Sequence, residues 1–262
     1  MELGIMKKKV ILISIDGMRP DGLLACGNPY VGELEKMATY TYTGSSMVPS
    51  VTFPCHYSMT HSVTPQRHGI LTNTYVPEVR PVTGLFEKIK YGGGVSAMLY
   101  GWEPLRNIVS PGTLRFATYI NAYARESSDT VLTDEALKII GEDKPDFVFL
   151  YMVETDEKGG HDNGWMSEEY LRRISIAIDN VKRVIDTCGD EYSVIVMADH
   201  GGHDRSHGST MPEDMTVPFF FIGEEFERGK VVDGLTLLDI APTIVTVMGI
   251  DPDPEWEGGS II

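Results

Sequence analysis

Residues 193–208 read SVIVMADHGGHDRSHG, and this stretch carries the strongest chemical signal in the chain. A short apolar run ends at Asp199 and His200, two glycines follow, and His203 and His207 come just after them. In an open α/β sheet, ligands bind beyond the carboxyl ends of the strands, so a buried strand that ends in Asp-His predicts a metal-binding loop. The alternative is a polar turn after a core strand. Residues elsewhere in the chain decide between these two interpretations.

Two further apolar runs end in the same way. Residues 10–15, VILISI, are followed by Asp16, and residues 145–153 are followed closely by Asp156. Such runs are typical of strands buried on both faces, and parallel strands bring their carboxyl ends to one edge of a sheet. Three carboxylates and three imidazoles at one edge suit two borderline divalent ions, above all Zn²⁺. The residues expected to meet there are Asp16, Asp156, Asp199, His161, His200 and His207.

A hydroxyl group is predicted beside this cluster. Pro54 suits the first turn of a helix, which places Thr52 at the helix N-terminus and continues the helix to about His61. Backbone N–H groups and the positive end of the helix dipole favour a phosphoryl group at that point. The alternative is that Thr52 only caps the helix. A metal-bound hydroxyl ionises more readily because the ion stabilises the alkoxide, and this favours Thr52 as a nucleophile.

The remaining hydrophobic pattern predicts an α/β fold with three α/β/α layers around a mostly parallel central sheet. Further strands are expected at residues 95–100 and 218–222, and residues 18–30 are expected to form a loop. Nothing marks a linker or a repeat, so we expect a single domain over residues 1–262, with a small substrate-covering insertion around residues 74–128. Further helices are expected at residues 32–40, 84–90, 130–140, 167–188 and 234–249.

The amino-acid composition limits the classes of binding partner and the cellular compartment that can be expected. The 262 residues include 22 Lys+Arg and 38 Asp+Glu, for a formal net charge of −16, which argues against nucleic-acid polymers and anionic membranes as partners. Cys26, Cys55 and Cys188 are far apart and form no CxxC pair, so a reducing compartment is expected. The apolar run of residues 10–15 is too short for a signal sequence or a membrane span, which favours the cytoplasm. Nothing in the sequence indicates an oligomeric state.

The order of these residues resembles that of the alkaline phosphatase superfamily, most of all its nucleotide pyrophosphatase/phosphodiesterase branch. The resemblance is carried by Asp16-Gly17, Thr52-Phe53-Pro54, Asp156 to His161, Asp199-His200-Gly201 and His207-Gly208, and it runs over nearly the whole chain. It implies an alkaline phosphatase-like fold, two zinc ions and a double displacement in which Thr52 is transiently phosphorylated. By the same resemblance, Asp16, Thr52, Asp199 and His200 would hold one zinc ion, and Asp156, His161 and His207 would hold the other.

The sequence departs from the branch at three places. Cys55, a weak hydrogen-bond donor, occupies a position where the branch has an asparagine whose amide helps to hold a phosphate oxygen. One extra residue separates Asp156 from His161, and the glycine pair before His161 could absorb it. His203 competes with His207 as the last ligand, and the glycine after position 207 favours His207.

The leading hypothesis is a phosphodiesterase or nucleotide pyrophosphatase that acts on a small-molecule phosphate ester or nucleotide. A phosphomonoesterase or phosphonate hydrolase on the same core is the first alternative, and a non-catalytic metal-binding protein is the second. A sulfatase is disfavoured because no Cys-x-Pro-x-Arg or Ser-x-Pro-x-Arg site is present, and a phosphosugar mutase because there is no room for a large extra domain. Candidate substrate contacts are Cys55, Asn73, Tyr75, Trp102 and Arg106, whereas His56, His61 and His68 are expected to be structural.

Overall fold

The computed structural model describes residues 8–262, and within them the frame is a single mixed sheet. Its strands are β1 (Lys9–Ile15), β2 (Thr39–Ser45), β3 (Ser96–Tyr100), β4 (Leu114–Tyr119), β5 (Phe147–Met152), β6 (Tyr192–Met197), β7 (Thr216–Ile222) and β8 (Lys230–Val231). Their order is β4-β3-β5-β1-β6-β7-β2-β8. β7 runs antiparallel to its neighbours β6 and β2, whereas the other neighbouring pairs are parallel.

Helices cover both faces of the sheet, since every residue of β5 and β6 is buried. The helices are α1 (Pro20–Ala25), α2 (Tyr30–Met37), α3 (Thr52–His61), α4 (Pro65–His68), α5 (Leu85–Tyr91), α6 (Ser128–Glu142), α7 (Glu168–Cys188), α8 (Pro212–Met215) and α9 (Ile240–Met248). α1, α2 and α6 pack against α7, and α3, α5 and α9 pack against one another. No helix within residues 8–262 is both long and apolar enough to cross a bilayer.

The three central strands bring polar residues to one edge of the sheet. β1 lies between β5 and β6, parallel to both, with Ser14 beside Tyr151 on one side and Met197 on the other. The chain segments that leave these strands carry Asp16, Asp156 and Asp199, as the strand pattern predicts. The fold therefore assembles the candidate site at the carboxyl edge, where open α/β sheets bind ligands.

Most predicted elements are confirmed, and three are corrected. The helix expected at residues 32–40 ends at Met37, because the alternating TYTYT sequence that follows forms β2. Residues 18–30 contain the short helix α1 instead of an uninterrupted loop. β4 was not expected, and together with β3 it extends the main sheet into the range of residues 74–128.

Candidate metal centre

The first cluster consists of Asp16, Asp199 and His200, which follow the adjacent strands β1 and β6. His200 Nε2 lies 3.2 Å from Asp16 Oδ1 and 3.3 Å from Asp199 Oδ2, and all three side chains are buried. Thr52, the first residue of α3, has its Oγ1 3.1 Å from the same His200 Nε2. The chain thus brings the predicted hydroxyl to the side of the predicted ligands.

The second cluster consists of Asp156, His161 and His207. His161 Nε2 lies 3.4 Å from Asp156 Oδ2, and His207 Nε2 lies 3.9 Å from Asp156 Oδ1. The rings of His200 and His207 stack with centroids 3.9 Å apart, so the two clusters adjoin.

A π-helix over Thr155–His161 delivers two residues of the second cluster. A π-helical turn holds one residue more than an α-helical turn, and such turns are frequent at functional sites. The extra residue between Asp156 and His161 is accommodated in this way. Gly159 contributes because a Cβ there would lie 3.0 Å from the Tyr170 backbone.

Backbone carbonyls fix the tautomer of all three clustered histidines. His161 Nδ1 lies 3.0 Å from the Arg205 carbonyl, His200 Nδ1 lies 2.7 Å from the Gly201 carbonyl, and His207 Nδ1 lies 2.9 Å from the Ser50 carbonyl. A carbonyl only accepts, so each Nδ1 carries the proton and each Nε2 presents a lone pair. This is how metal-binding histidines are ordinarily oriented.

The site has an excess of lone pairs and lacks positive charge. Asp16 Oδ1, Asp156 Oδ1 and Asp199 Oδ2 are buried without hydrogen-bond partners, although imidazole nitrogens stand close to them. With the proton on Nδ1, each short Nε2 to carboxylate distance brings two acceptors together. Cations between them would convert this repulsion into coordination, so the residues fit two divalent metal ions.

The pKa values reflect the same burial. Burial and then the charge of Asp199 raise the pKa of Asp16 well above its usual range, and burial and then Asp16 do the same to the pKa of Asp156. Burial raises the pKa of Asp199 to about 7. Burial lowers the pKa of His207 to about 3 and also lowers the pKa of His200, so both imidazoles are neutral, as metal ligands must be.

A cavity of about 160 Å³ opens beside the clusters and contains two of the five predicted substrate contacts, Asn73 and Trp102. Asn73 Oδ1 accepts a hydrogen bond of 3.0 Å from the Phe53 N–H, which leaves its amide nitrogen as the donor available to a ligand. The side chains that line this cavity are Asp16, Thr52, Asn73, Trp102, Tyr123, Tyr151, Val153, Asp156, Glu157, His161 and His207.

The other predicted contacts lie elsewhere. Cys55 is fully buried, with its Sγ 3.3 Å from Ser46 Oγ, and burial raises the pKa of its thiol to about 12. It does not line the cavity, so the structure does not bring it to the other candidate contacts, and its role as a substrate contact stays a prediction. Tyr75 and Arg106 line a neighbouring cavity of about 570 Å³.

A family model described as the Metalloenzyme superfamily matches residues 75–252. The chain belongs to this superfamily. A second model, Type I phosphodiesterase / nucleotide pyrophosphatase, matches residues 10–90, the part of the chain that contains Asp16, Thr52 and Asn73. Together they confirm the resemblance to the alkaline phosphatase superfamily and its nucleotide pyrophosphatase/phosphodiesterase branch.

Curated relatives of this superfamily member are longer proteins. The 2,3-bisphosphoglycerate-independent phosphoglycerate mutase of Clostridioides difficile is 35% identical over an alignment of 187 residues, and the alignment covers 66% of this chain and 33% of the mutase. Ectonucleotide pyrophosphatase/phosphodiesterase family member 1 of Mus musculus is 27% identical over an alignment of 221 residues, and the alignment covers 73% of this chain and 24% of that protein. The chain thus spans a third or less of the length of these relatives.

Solved structures confirm the alkaline phosphatase-like fold. Murine ectonucleotide pyrophosphatase/phosphodiesterase 5, an inactive variant in complex with AMP, matches with a TM-score of 0.77 at 15% identity, over 95% of this chain and 96% of that chain. The phosphonate monoester hydrolase of Silicibacter pomeroyi matches with a TM-score of 0.74 at 16% identity, over 97% of this chain and 76% of that chain. At these identities the match concerns the fold alone.

Two residues of this superfamily member, Tyr151 and His56, reach the clusters without having been predicted to do so. The Tyr151 hydroxyl donates a hydrogen bond to Asp16 Oδ2 and lines the smaller cavity. His56 was expected to be only structural, yet its Nδ1 lies 2.8 Å from the Thr52 carbonyl and 3.3 Å from Asp199 Oδ2. Tyr151 could have been found from strand register, since it pairs with Ser14, two residues before Asp16.

His203, the competitor of His207, lies outside both clusters. Its Nδ1 is 2.7 Å from Asp214 Oδ1, and the bond to that carboxylate raises the pKa of His203. The structure therefore gives His203 an ion-pair partner on α8 and brings His207 to Asp156.

Proposed function

We propose that this protein is a metal-dependent hydrolase of phosphate esters, of the phosphodiesterase or nucleotide pyrophosphatase type, with Thr52 as the nucleophile. The proposal depends on one observation above all, the position of the Thr52 hydroxyl. It lies at the N-terminus of α3, 3.1 Å from His200 Nε2, on the wall of a cavity that residues from both clusters border. A capping residue needs no such surroundings.

Two ions, which we take to be zinc, would be held by the residues of the two clusters. When bound, one by Asp16, Thr52, Asp199 and His200 and the other by Asp156, His161 and His207, they would supply positive charge that stabilises anionic oxygens. In the metal-free chain the Thr52 O–H donates to His200 Nε2, which places Oγ1 beside the residues that would hold the first ion. Asn73, whose carbonyl is held by the Phe53 N–H, offers its amide N–H to a phosphoryl oxygen.

The reaction is a double displacement. Thr52 Oγ1 forms a bond to phosphorus while the bond from phosphorus to the leaving oxygen breaks, and the leaving group keeps the electron pair and takes up a proton. Water then attacks the phosphothreonine, the bond from phosphorus to Oγ1 breaks, and Thr52 regains its proton.

The larger cavity is suited to the organic part of the substrate. Its volume of about 570 Å³ lies in the range of small-molecule sites, and its walls include Tyr57, Tyr75, Tyr100 and Arg106. It begins close to the reaction centre, because Tyr75 is two residues from Asn73 and Arg106 is four residues from Trp102. We therefore propose an aromatic or nucleoside-like leaving group. The three free thiols support a cytoplasmic location.

Transfer of the phosphoryl group to a second alcohol is a second candidate function, favoured by the identity to the Clostridioides difficile mutase. The same phosphothreonine would form, and an alcohol in place of water would then attack its phosphorus.

The test is a substrate panel run on the zinc-loaded protein and on two variants. Bis(p-nitrophenyl) phosphate, p-nitrophenyl phosphate and p-nitrophenyl phenylphosphonate are compared in ¹⁸O-labelled water, with glycerol added as an acceptor. We expect the diester to react fastest, with ¹⁸O in the product phosphate ester. Thr52→Ala should lower kcat/KM by about three orders of magnitude or more, whereas Thr52→Ser, which keeps a hydroxyl, should retain part of the activity.

Each other outcome identifies a different function. Faster turnover of the monoester or the phosphonate would replace the diesterase assignment, and phosphorylated glycerol without ¹⁸O incorporation would favour the transferase. Unchanged activity in Thr52→Ala would exclude Thr52 as the nucleophile. Zinc binding without turnover of any substrate would favour the non-catalytic alternative.

A further inference from the structure

Trp165 lies in a tight turn between the π-helix and α7, and it contacts all three chain segments that carry the clusters. Its ring is almost completely buried. The residues on either side, Gly164 and Met166, have φ angles of +97° and +68°, so the turn holds the indole in one place. Local sequence pattern gives no reason for a buried tryptophan at this turn.

The first contact is with the segment that follows β1. Trp165 Nε1 donates a hydrogen bond of 3.0 Å to the carbonyl of Gly17, the residue after Asp16. The Tyr170 hydroxyl also donates to that carbonyl, at 2.8 Å. A Cβ on Gly17 would lie 2.8 Å from Asp156 Oδ1, so this backbone is packed directly against the second cluster.

The second contact is with the π-helix. A Cβ on Gly160 would lie 2.5 Å from the indole, so the ring occupies the space that a side chain at this position would need. The His161 ring meets the indole edge to face, with centroids 5.2 Å apart at 84°.

The third contact is with the segment that follows β6. The indole also fills the place of a side chain at Gly202. The backbone N–H of Trp165 donates a hydrogen bond of 2.8 Å to the Asp204 carbonyl. The His207 ring lies 6.0 Å from the indole, centroid to centroid.

We propose that Trp165 is a positioning residue that sets the distance between His161 and His207, and thereby the affinity of the second cluster for its ion. The indole occupies the space that a side chain at position 160 or 202 would need, so it packs directly against both ligand-bearing backbones. This inference rests on the metal binding proposed above, but not on any particular substrate.

The chain offers a matched control in Trp256. Its Nε1 also donates to a backbone carbonyl, that of Thr83 at 2.8 Å, and its ring packs against the core away from the clusters. Trp165→Phe and Trp256→Phe therefore remove the same chemical group and the same kind of hydrogen bond. Only the first touches the ligand-bearing segments.

Zinc affinity is measured by competition with a chelator, without substrate, and His161→Asn identifies which of the two zinc ions belongs to the second cluster. We expect Trp165→Phe to weaken the affinity of the second cluster for zinc by about 10-fold to 100-fold. The affinity of the first cluster should stay within about threefold of the wild-type value. Excess zinc should restore kcat toward the wild-type value. Trp256→Phe should change neither affinity.

Equal zinc affinities in Trp165→Phe and Trp256→Phe, with only a lower Tm, would overturn the proposal. If Trp165→Phe does not fold, ¹⁹F NMR of the unsubstituted chain labelled with 5-fluorotryptophan tests the proposal. Zinc at the second cluster should move the Trp165 resonance and not that of Trp256, and an unmoved Trp165 resonance would also overturn it. Because both readouts need no turnover, an inactive but zinc-binding protein would count against the proposed function alone.

Discussion

Replacing Asp199 by asparagine should stabilise the metal-free protein while it abolishes zinc binding at the first cluster and turnover. Asp199 is fully buried, and burial raises its pKa from 3.8 to about 7. An asparagine keeps the contact with Gly17, because its oxygen at the Oδ1 position would still accept from the Gly17 N–H at 3.2 Å, and its amide nitrogen would lie 3.3 Å from His200 Nε2. The same nitrogen would lie 3.3 Å from His56 Nδ1, whose proton goes to the Thr52 carbonyl, so the gain comes from removing a buried charge and not from a new hydrogen bond.

The magnitude follows from the pKa difference. The folded state keeps the Asp199 proton to a higher pH than the unfolded chain does, so the stability of the wild type falls as pH rises from about 4 to about 7. A rise from 3.8 to about 7 corresponds to about 4 kcal/mol at most, and we expect the variant to gain about 1 to 4 kcal/mol at pH 8.

The assay is urea denaturation in excess chelator at pH 5 and pH 8, with Asp129→Asn as the matched control. Burial also raises the pKa of Asp129 to about 7, but both of its carboxylate oxygens accept backbone N–H groups, from Val153 at 3.0 Å and from Glu154 at 2.9 Å. An asparagine there would direct its amino group at one of these donors, so this variant should lose stability. A less stable Asp199→Asn at pH 8, or a more stable Asp129→Asn, would refute the reasoning.

Three further predictions concern residues around the clusters. His207→Asn should weaken zinc binding by more than about 10-fold, because His207 approaches Asp156, whereas His203→Asn should change zinc affinity by less than about threefold. A chelator titration that gives the reverse order would make His203 the zinc ligand in place of His207. His56→Leu should lower kcat/KM by about 10-fold or more, because it removes the side-chain donor to the Thr52 carbonyl. His56→Asn keeps a donor near the Nδ1 position and should recover part of that kcat/KM. Equal losses of kcat/KM in the two variants would make His56 merely structural. Cys55→Ala should lower Tm by a few degrees, because it leaves a small cavity in the core. The ratio of diester to monoester turnover should stay within about twofold, and a larger change in that ratio would indicate that Cys55 does contact the substrate.

The central strands and their aspartates could be predicted because local pattern and topology agree there. β1, β5 and β6 are continuous apolar runs, and each is followed by a carboxylate within a few residues. Parallel pairing then forces these carboxylates to one edge. β4 escaped prediction because it is an edge strand whose residues are alternately half-buried and exposed, and its single apolar face is too short to stand out.

The residues that support the ligands were harder to find, because their partners are distant in sequence. His56 lies one helical turn after Thr52, so its approach to the Thr52 carbonyl follows from helix geometry. Its approach to Asp199, 143 positions further along the chain, follows from tertiary packing and from nothing local. The contacts of Trp165 with Gly17 and Gly202 are of the same kind.

The two clusters differ in exposure, and this difference matches the direction of the proposed reaction. Asp16, Asp199 and His200 are sealed from solvent, whereas the His161 side chain is 34% exposed. The proposed nucleophile, Thr52, lies beside the buried cluster, where the low dielectric strengthens every charge interaction with the reacting oxygen. The leaving oxygen needs access to water for its proton, and His161 gives the second cluster that access. Under the proposed function, an ion held by the second cluster would therefore suit the leaving oxygen, and an ion held by the first cluster would suit Thr52.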